Sequence, residues 1–266
     1  MPVAMTEDAV PLRYAICGDG PVIVFVSGYG MTLDEWPSRL ITYLAKKYTI
    51  ILYNHRGVSG ERNPAVEFSI PQAARDLHQV ITQLAGVDEQ PVHIVGYSMG
   101  GMIALEYAVL FPDTLNRFVL LNADCGGALR VPAEEWVLEE MAQEFDTPEA
   151  YVDRAGRLLL TEEYRCEHPD PSTWFVDYGE VANPQAVKEQ YDAMLLWDGV
   201  YPELHAVRSP ALVLAGDRDI VIPPDNAELI AAALPDATLH ILKGQAHGMI
   251  FCEPVKIAVM IEEFLG

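Results

Sequence analysis

The chain has 266 residues and a formal net charge of −22, with 39 acidic against 17 basic side chains. Such an acidic surface repels phosphate backbones and anionic lipid headgroups, which argues against nucleic acid and membrane partners. Half of the residues are hydrophobic, but the longest apolar runs are too short to span a bilayer. The length and composition suit one large α/β domain.

The cysteines and the N-terminus indicate the compartment. The four cysteines include no C-x-x-C pair (Cys17, Cys125, Cys166 and Cys252). This scattered spacing argues against a zinc site. The first eight residues lack the basic and apolar regions of a secretory signal peptide. We therefore expect free thiols, no metal and a cytoplasmic protein.

Strand-like and helix-like segments alternate along the chain. A β-hairpin is predicted up to residues 18–20, and nearly continuous apolar runs, typical of strands buried on both faces, follow at 22–26, 49–53, 92–95, 118–121, 211–215 and 238–242. Apolar spacing and composition predict helices at 72–84, 99–110 and 254–265. The sequence thus predicts an α/β protein, with a mostly parallel central sheet and helices on both faces.

One long stretch breaks this alternation. Residues 124–208 contain no convincing buried strand, and they show helical patterns at 134–145 and 184–196. They hold 19 acidic against 6 basic residues, a net charge of −13. We interpret this stretch as a helical lid over the strand ends, inserted into a core formed by residues 1–123 and 209–266.

A serine flanked by glycines lies between a predicted strand and a predicted helix. Gly96-Tyr97-Ser98-Met99-Gly100 fits G-x-S-x-G and directly follows the apolar run 92–95. A sharp turn there would hold Ser98 in a strained conformation and project its hydroxyl above the sheet edge. Side chains at positions 96 and 100 would collide across this turn, and Gly101 would let the helix approach the sheet closely. We predict that Ser98 is a nucleophile.

A serine hydroxyl needs a neighbouring base that takes its proton. Of the seven histidines, His247 is best placed, because it lies in a loop between the last predicted strand and the terminal helix. The others lie inside strands, on a helix, in the lid, or beside strands without a supporting pattern (His55, His78, His93, His168, His205 and His240). We predict that His247 is the general base.

The imidazole needs a buried carboxylate that fixes its tautomer and stabilises its charged form. Asp217 and Asp219 both follow the predicted strand 211–215. Asp219 is favoured, because the turn carries it past the sheet edge, whereas Asp217 is better placed to brace that turn. Asp124, after the strand that ends near Asn122, is a third candidate.

Together these motifs resemble the α/β-hydrolase superfamily, in its branch of small esterases, enol-lactonases, cofactor-free haloperoxidases and carbon–carbon bond hydrolases. The resemblance rests on the order Ser98, Asp219, His247 and on the segments 96–101 and 216–223. It covers the whole chain, loosely in the lid. It implies the α/β-hydrolase fold and no metal or organic cofactor.

The resemblance also implies an oxyanion hole. Val26-Ser27-Gly28-Tyr29-Gly30 ends the first central parallel strand, where relatives usually carry His-Gly-x. By this match the backbone N–H groups of Tyr29 and Met99 would hold the oxyanion. Ser27 replaces the usual histidine, which removes the usual bracing of the loop. Residues 54–59 resemble the family's D-x-R-G segment with Asn54 in place of aspartate, and we interpret them as structural.

These motifs predict a carboxylesterase-like enzyme that hydrolyses an ester or related acyl bond of a small molecule through an acyl-enzyme on Ser98. One alternative is a carbon–carbon bond hydrolase or enol-lactonase on the same three residues. An alternative of another class is a non-catalytic ligand-binding receptor with this fold. The acidic lid favours a neutral or cationic substrate over a carboxylate, unless Arg130, Arg154, Arg157 or Arg165 points into the pocket.

Aromatic residues of the lid have two possible roles. They are Trp136, Tyr151, Trp174, Phe175, Tyr178 and Trp197. They either line an apolar acyl pocket or anchor the lid to the core, and we favour anchoring for any single residue.

Overall fold

The computed structural model describes residues 1–61, 66–85, 91–143, 147–175 and 181–266. Its eight-stranded sheet has the order β1-β2-β4-β3-β5-β6-β7-β8. The strands are β1 (Val3–Met5), β2 (Pro11–Cys17), β3 (Val22–Val26), β4 (Thr49–Tyr53), β5 (Val92–Tyr97), β6 (Leu115–Leu121), β7 (Ala211–Gly216) and β8 (Ala237–Leu242). β1 and β2 pair antiparallel with each other and β2 pairs antiparallel with β4, whereas β3 to β8 are parallel. The predicted mostly parallel sheet is confirmed.

The α-helices of the described residues pack around this sheet, and in the chain they lie between or after its strands. They are α1 (Ser38–Leu44), α2 (Ile70–Ala85), α3 (Met99–Leu110), α4 (Glu135–Ala142), α5 (Pro148–Leu159), α6 (Glu162–Glu167), α7 (Pro184–Leu196), α8 (Asp225–Ala233), α9 (Met249–Cys252) and α10 (Pro254–Leu265). None of these helices is both long and apolar enough to cross a membrane.

Alternate residues of β3 show why the central strands are apolar throughout. Ile23 and Phe25 belong to a hydrophobic cluster that includes α1 and α10, whereas Val24 and Val26 belong to the cluster that includes α2, α3 and α8. All four side chains are fully buried. Burying such a side chain contributes about 1.5–3 kcal/mol. The two clusters confirm that helices cover both faces of the sheet.

Parallel strands bring their carboxyl ends to one edge of the sheet. β3, β5, β7 and β8 end at Val26, Tyr97, Gly216 and Leu242 respectively. Tyr29, Ser98, Asp219 and His247 directly follow or lie in the loops after these four strands. The fold therefore places those residues at one edge, although they are up to about 220 positions apart in the chain.

The chain between β6 and β7 contains α4 to α7 and no strand among its described residues. Side chains of Thr161 and Asn183 cap the first turns of α6 and α7 by accepting backbone N–H bonds. The helix predicted at 184–196 is confirmed as α7, whereas the one predicted at 134–145 is seen as α4, and residues 144–146 lie outside the described part. The division into core and lid stays a prediction.

Candidate active site

Ser98 lies at the sharp turn between β5 and α3. Its backbone has φ 55° and ψ −121°, a conformation that costs a non-glycine residue about 1–3 kcal/mol. The turn is held because the N–H of Ser98 donates to the carbonyl oxygen of Leu121, at 2.9 Å. The side chain is nearly buried, with 7% of its residue surface exposed. The strained turn therefore matches the one that the sequence predicts.

Three glycines make this turn possible. A Cβ at position 96 would overlap the carbonyl oxygen of Gly100, as predicted. One at position 100 would overlap the carbonyl oxygen of Val26, so that glycine also lets α3 approach the end of β3. One at position 101 would overlap the Cβ of Ala123, just after β6. The predicted need for small residues at all three positions is confirmed.

His247 connects Ser98 to Asp219. Its Nε2 lies 2.9 Å from Ser98 Oγ, and its Nδ1 lies 2.7 Å from Asp219 Oδ2. His247 is 2% exposed and Asp219 is 4% exposed. Since water has little access to either bond, both geometries are held by the protein itself. The structure thus brings together the three side chains that the sequence predicts to act together.

Each of the three aspartate candidates has a different partner. Asp219 Oδ1 accepts the backbone N–H groups of Val221 and Ile222, at 2.8 and 2.9 Å, which leaves Oδ2 for His247. Asp217 Oδ1 accepts the N–H of Gly244, at 2.6 Å, and so ties the loop after β7 to the loop that carries His247. Asp124 Oδ1 accepts the N–H of Gly126 instead. Asp219 alone of the three is bonded to the imidazole.

Two residues that the sequence analysis missed hold the backbone of His247. Asn122 Nδ2 donates to the His247 carbonyl oxygen at 2.6 Å, and Tyr97 Oη donates to the same oxygen at 3.1 Å. Asn122 Oδ1 also accepts the N–H of Gly216, at the end of β7. Asn122 has φ 49°, which asparagine tolerates better than most residues. The sequence feature that could have indicated this role is an asparagine directly after a buried strand.

The loop after β3 lies directly beside Ser98. A Cβ on Gly28 would be 3.3 Å from Ser98 Cβ, so this backbone packs against the serine. Ser27 Oγ accepts the indole N–H of Trp36, at 2.9 Å, and the Ser27 carbonyl oxygen lies 3.0 Å from His55 Nε2. Burial lowers the pKa of His55, which favours the neutral ring. Trp36 and His55 therefore brace the loop in which serine replaces the usual histidine.

The same loop is bonded to α4 and α7, which the sequence analysis did not foresee. Gly30 N–H donates to Gln190 Oε1 at 2.8 Å, and Gln190 is fully buried. Tyr29 Oη donates to the carbonyl oxygen of Met141 at 3.1 Å, and its ring centroid lies 6.1 Å from that of Tyr191. Helices from the predicted lid thus hold the segment that the resemblance assigns to the oxyanion.

The segment 54–59 forms a network next to this loop. Asn54 Oδ1 accepts the N–H of Leu33 at 2.6 Å. Arg56 makes a two-pronged bond to Asp76, at 2.6 and 2.7 Å, and a second to Asp8, at 3.0 and 3.1 Å. The bond from Arg56 lowers the pKa of Asp8 to about 2. None of these groups touches Ser98 or His247 in the described bonds, in agreement with the predicted structural role.

A narrow cavity of about 50 Å³ opens onto Ser98. Its walls are mostly apolar and come from α3, from α4 and α7, and from the loop after β7; among them are Met102, Leu138, Tyr191, Met194 and Ile222. Two charged residues, Asp124 and Arg130, also line it. Arg130 is the one member of the four candidate arginines in this lining. Ser98 therefore opens onto a small, mostly apolar space.

None of the described aromatic residues that the sequence analysis selected in the predicted lid lines this cavity. Trp197 donates its indole N–H to Glu106 of α3 at 2.9 Å, and Trp174 donates to the carbonyl oxygen of His168 at 2.6 Å. Phe175 packs edge-on against Phe251. The contacts of Trp197 and Phe175 reach the predicted core and fit anchoring, whereas the bond of Trp174 stays within the predicted lid. Trp136 and Tyr151 are partly exposed, and Tyr178 lies outside the described residues.

A larger groove of about 950 Å³ lies elsewhere, between the start of α2, α3 and the end of α7. It contains none of the predicted site residues, and its lining includes the acidic residues Glu67, Glu106, Glu189, Asp192, Asp198 and Glu203. Across the described ranges, no group of three or more His, Cys, Asp and Glu side chains is arranged to hold a metal ion. The groove is thus separate from the cavity that Ser98 lines.

Known proteins resemble this chain in sequence and in fold. The family described as alpha/beta hydrolase fold matches residues 21–254. A Pseudomonas syringae protein named "Putative carbamate hydrolase RutD" is 28% identical over 263 residues, covering 93% of this chain and 95% of that protein. A poly(3-hydroxyalkanoate) depolymerase of Ectopseudomonas oleovorans is 28% identical over 250 residues, covering 92% and 84%. The crystal structure of the enol-lactonase of Burkholderia xenovorans LB400 has a TM-score of 0.82 at 22% identity, covering 99% of both chains.

Proposed function

The chain belongs to the alpha/beta hydrolase fold family, and from this premise we propose that it is a serine hydrolase that cleaves a carboxylic ester, or a related acyl bond, of a small molecule. The observation that carries the proposal is a pair of hydrogen bonds made by His247. Its Nε2 lies 2.9 Å from Ser98 Oγ, and its Nδ1 lies 2.7 Å from Asp219 Oδ2. This is the arrangement that turns a serine hydroxyl into a nucleophile.

The proposed first half-reaction forms an acyl-enzyme. Ser98 Oγ attacks the carbonyl carbon of the substrate while His247 Nε2 accepts the hydroxyl proton. The protonated His247 then gives this proton to the leaving alcohol as the carbon–oxygen bond breaks. In the second half, His247 takes a proton from water, whose oxygen attacks the acyl-enzyme, and Ser98 recovers its proton as the acid leaves.

Asp219 is proposed to hold His247 in the productive tautomer. Its Oδ1 accepts two backbone N–H groups, and its Oδ2 faces Nδ1 of the imidazole. An acceptor beside Nδ1 keeps the proton there, which leaves the lone pair of Nε2 free for the proton of Ser98. The same carboxylate stabilises the imidazolium that forms during the reaction.

The backbone N–H groups of Tyr29 and Met99 are proposed as the oxyanion hole. Met99 is the first residue of α3, where N–H groups have no partner within the helix and the helix dipole is positive. Among the described contacts, neither N–H donates to a protein group. The close approach of Gly28 to Ser98 supports a position for the Tyr29 N–H beside the reacting carbonyl.

The relatives support acyl chemistry without selecting one bond. The names of two of them mention a carbamate and a poly(3-hydroxyalkanoate), and attack on a carbonyl carbon would cleave either. We propose a neutral small molecule, because the cavity is mostly apolar and holds one acidic and one basic residue. The intact pair of hydrogen bonds made by His247 argues against a non-catalytic receptor. The four cysteines are free, which suits a reducing cytoplasm, and we propose that location.

A fluorophosphonate probe tests the proposal, because it bonds covalently to a serine whose hydroxyl is activated by a base. We expect mass spectrometry to find one adduct on the peptide that contains Ser98, and none on Ser98→Ala. Asp219→Asn should slow labelling about 10³-fold or more, since the tautomer is lost, while Asp217→Asn should have a much smaller effect. A folded wild-type protein that stays unlabelled, or is labelled at another serine, would contradict the proposal.

A further inference from the structure

Asp124 places a carboxyl group in the cavity above Ser98. The residue follows β6, is 6% exposed and lines the same cavity as Ser98. Its Oδ1 accepts the N–H of Gly126 at 2.8 Å, which fixes the side chain in a tight turn. The proposed reaction uses Asp219 and leaves Asp124 without a role.

The second carboxyl oxygen of Asp124 has no donor among the described protein contacts. Burial raises the pKa of this group, which reflects the cost of a carboxylate in poorly hydrated surroundings. The residue keeps 6% of its surface exposed and lines the cavity, so this oxygen can accept a donor that enters the cavity. Because Ser98 lines the same cavity, a donor on the bound substrate is the natural partner.

The remaining cavity restricts what that donor can be. Met102, Leu138, Met194 and Ile222 give apolar walls, so the part of the substrate nearest to them is hydrocarbon. Arg130 lines the same cavity and donates to the carbonyl oxygen of Met194, at 3.3 Å. Its positive charge disfavours an ammonium group, and Asp124 disfavours a carboxylate. An uncharged group with an N–H donor and a carbonyl acceptor can bond to both Asp124 and Arg130.

We propose that Asp124 determines specificity, by accepting a hydrogen bond from an uncharged N–H group, such as a carboxamide, at the end of the substrate's acyl chain. The inference rests on the proposed acyl-enzyme at Ser98. The acyl part stays attached to Ser98 after the alcohol has left, so it is the part of the substrate that occupies the cavity lined by Ser98.

The test compares two esters that differ only at the end of the acyl chain. Phenyl 4-carbamoylbutanoate ends in a carboxamide, and phenyl 5-oxohexanoate has a methyl group in place of its NH2. Phenyl hexanoate serves as the reference ester. We expect wild-type kcat/KM to be about tenfold or more higher for the carboxamide than for the ketone, because a polar site rejects the analogue that leaves it unpaired.

The variant Asp124→Asn tests whether Asp124 causes this preference. The amide oxygen of asparagine can still accept the N–H of Gly126, while its NH2 replaces the free acceptor with a donor. The preference for the carboxamide should fall at least tenfold or invert. Glu139→Gln, which removes the same charge from an exposed position on α4, should keep the wild-type preference.

The outcomes separate this inference from the proposed function. A wild-type enzyme that hydrolyses phenyl hexanoate but treats the carboxamide and the ketone alike would overturn the role of Asp124 and leave the serine hydrolase intact. An unchanged preference in folded Asp124→Asn would overturn it too. If Asp124→Asn does not fold, the test is the ratio of the wild-type kcat/KM for the carboxamide to that for the ketone. Loss of hydrolysis of all three esters in folded wild-type protein would instead contradict the proposed function.

Discussion

Gln190 and Gly30 are joined by a hydrogen bond between elements that are 160 residues apart in the chain. The N–H of Gly30 donates to Gln190 Oε1 at 2.8 Å, and Gln190 is fully buried on α7. Gly30 follows Tyr29, whose own N–H is the proposed oxyanion donor. A side chain from the predicted lid therefore fixes the peptide segment on which the proposed transition-state stabilisation depends.

Replacing Gln190 should affect the chemical step more than substrate binding. Gln190→Met keeps the volume and removes the acceptor, and we expect kcat to fall about tenfold with little change in KM, because a misplaced oxyanion donor acts mainly on the transition state. Gln190→Glu keeps an acceptor oxygen and should retain most of the activity. Steady-state kinetics on p-nitrophenyl butanoate measures both. Equal losses in the two variants would argue against a positioning role.

The contact between Gly101 and Ala123 can be tested with a double-mutant cycle. Gly101→Ala adds a Cβ that overlaps that of Ala123, and we expect it to lower the free energy of unfolding by about 1–3 kcal/mol, although alanine favours a helix. Ala123→Gly removes the opposing methyl group. The double variant should recover most of the loss in urea denaturation. Additive losses would show that the two positions do not share one space.

The sequence predicted those parts of the molecule that depend on local patterns. The continuous apolar runs located β3 to β7, because strands buried on both faces leave no polar alternation, and the limits of α3, α7 and α10 agree with prediction. The run 238–242 located β8 too, but the expectation that it is buried on both faces was wrong, because β8 lies at the sheet edge and only Leu242 is buried. The glycines around Ser98 predicted the turn, because a sharp strand-to-helix turn has no space for side chains. The three side chains that these motifs selected are bonded to one another, and their catalytic roles stay predictions.

Contacts between segments far apart in the chain could not be predicted from local sequence patterns. Nothing near Gln190 in the sequence indicates that its amide meets Gly30, and Asn122 showed no motif that ties it to the backbone of His247. Tyr191, which lines the cavity, stood outside the group of lid aromatics that the sequence selected. These contacts depend on how elements far apart in the chain pack at the sheet edge, which no local pattern specifies.

The bonds from Arg56 should contribute unequally to stability. Asp76 and Arg56 are both buried, so Asp76→Ala leaves a buried guanidinium without its main partner and should cost about 3–5 kcal/mol. Asp8 is partly exposed, and Asp8→Ala leaves the bond to Asp76 intact, so we expect a cost of about 1 kcal/mol. Urea denaturation of the two variants measures the difference. Similar costs would contradict the assignment of Asp76 as the main partner.

Glu35 should make stability depend on pH. Burial raises its pKa from 4.5 to about 7, so between these values the folded state binds more protons than the unfolded state. Its contribution is complete below about pH 4.5 and is lost as pH rises to about 7, by up to about 3 kcal/mol. Glu35→Gln keeps an acceptor for the N–H of Thr32, its partner in the structure, and removes the titration.

The measurement for Glu35 is the free energy of unfolding of both proteins from pH 4 to 8. The difference between them isolates Glu35 from other groups such as His93, whose pKa burial lowers to about 4 and whose contribution therefore rises with pH. We expect the wild type to lose stability relative to Glu35→Gln across pH 4.5 to 7. A difference that does not vary with pH would contradict the buried, protonated state of Glu35.

The most direct test of the account is the hydrolysis of p-nitrophenyl esters, from acetate to dodecanoate, by the wild-type protein and by Ser98→Ala. We expect the wild type to turn over the shorter esters, which suit the narrow cavity, and the variant to lose about 10⁴-fold or more in kcat while its fold is unchanged. If folded Ser98→Ala retained wild-type activity, or if the folded wild type hydrolysed none of these esters, the proposed serine chemistry would be contradicted.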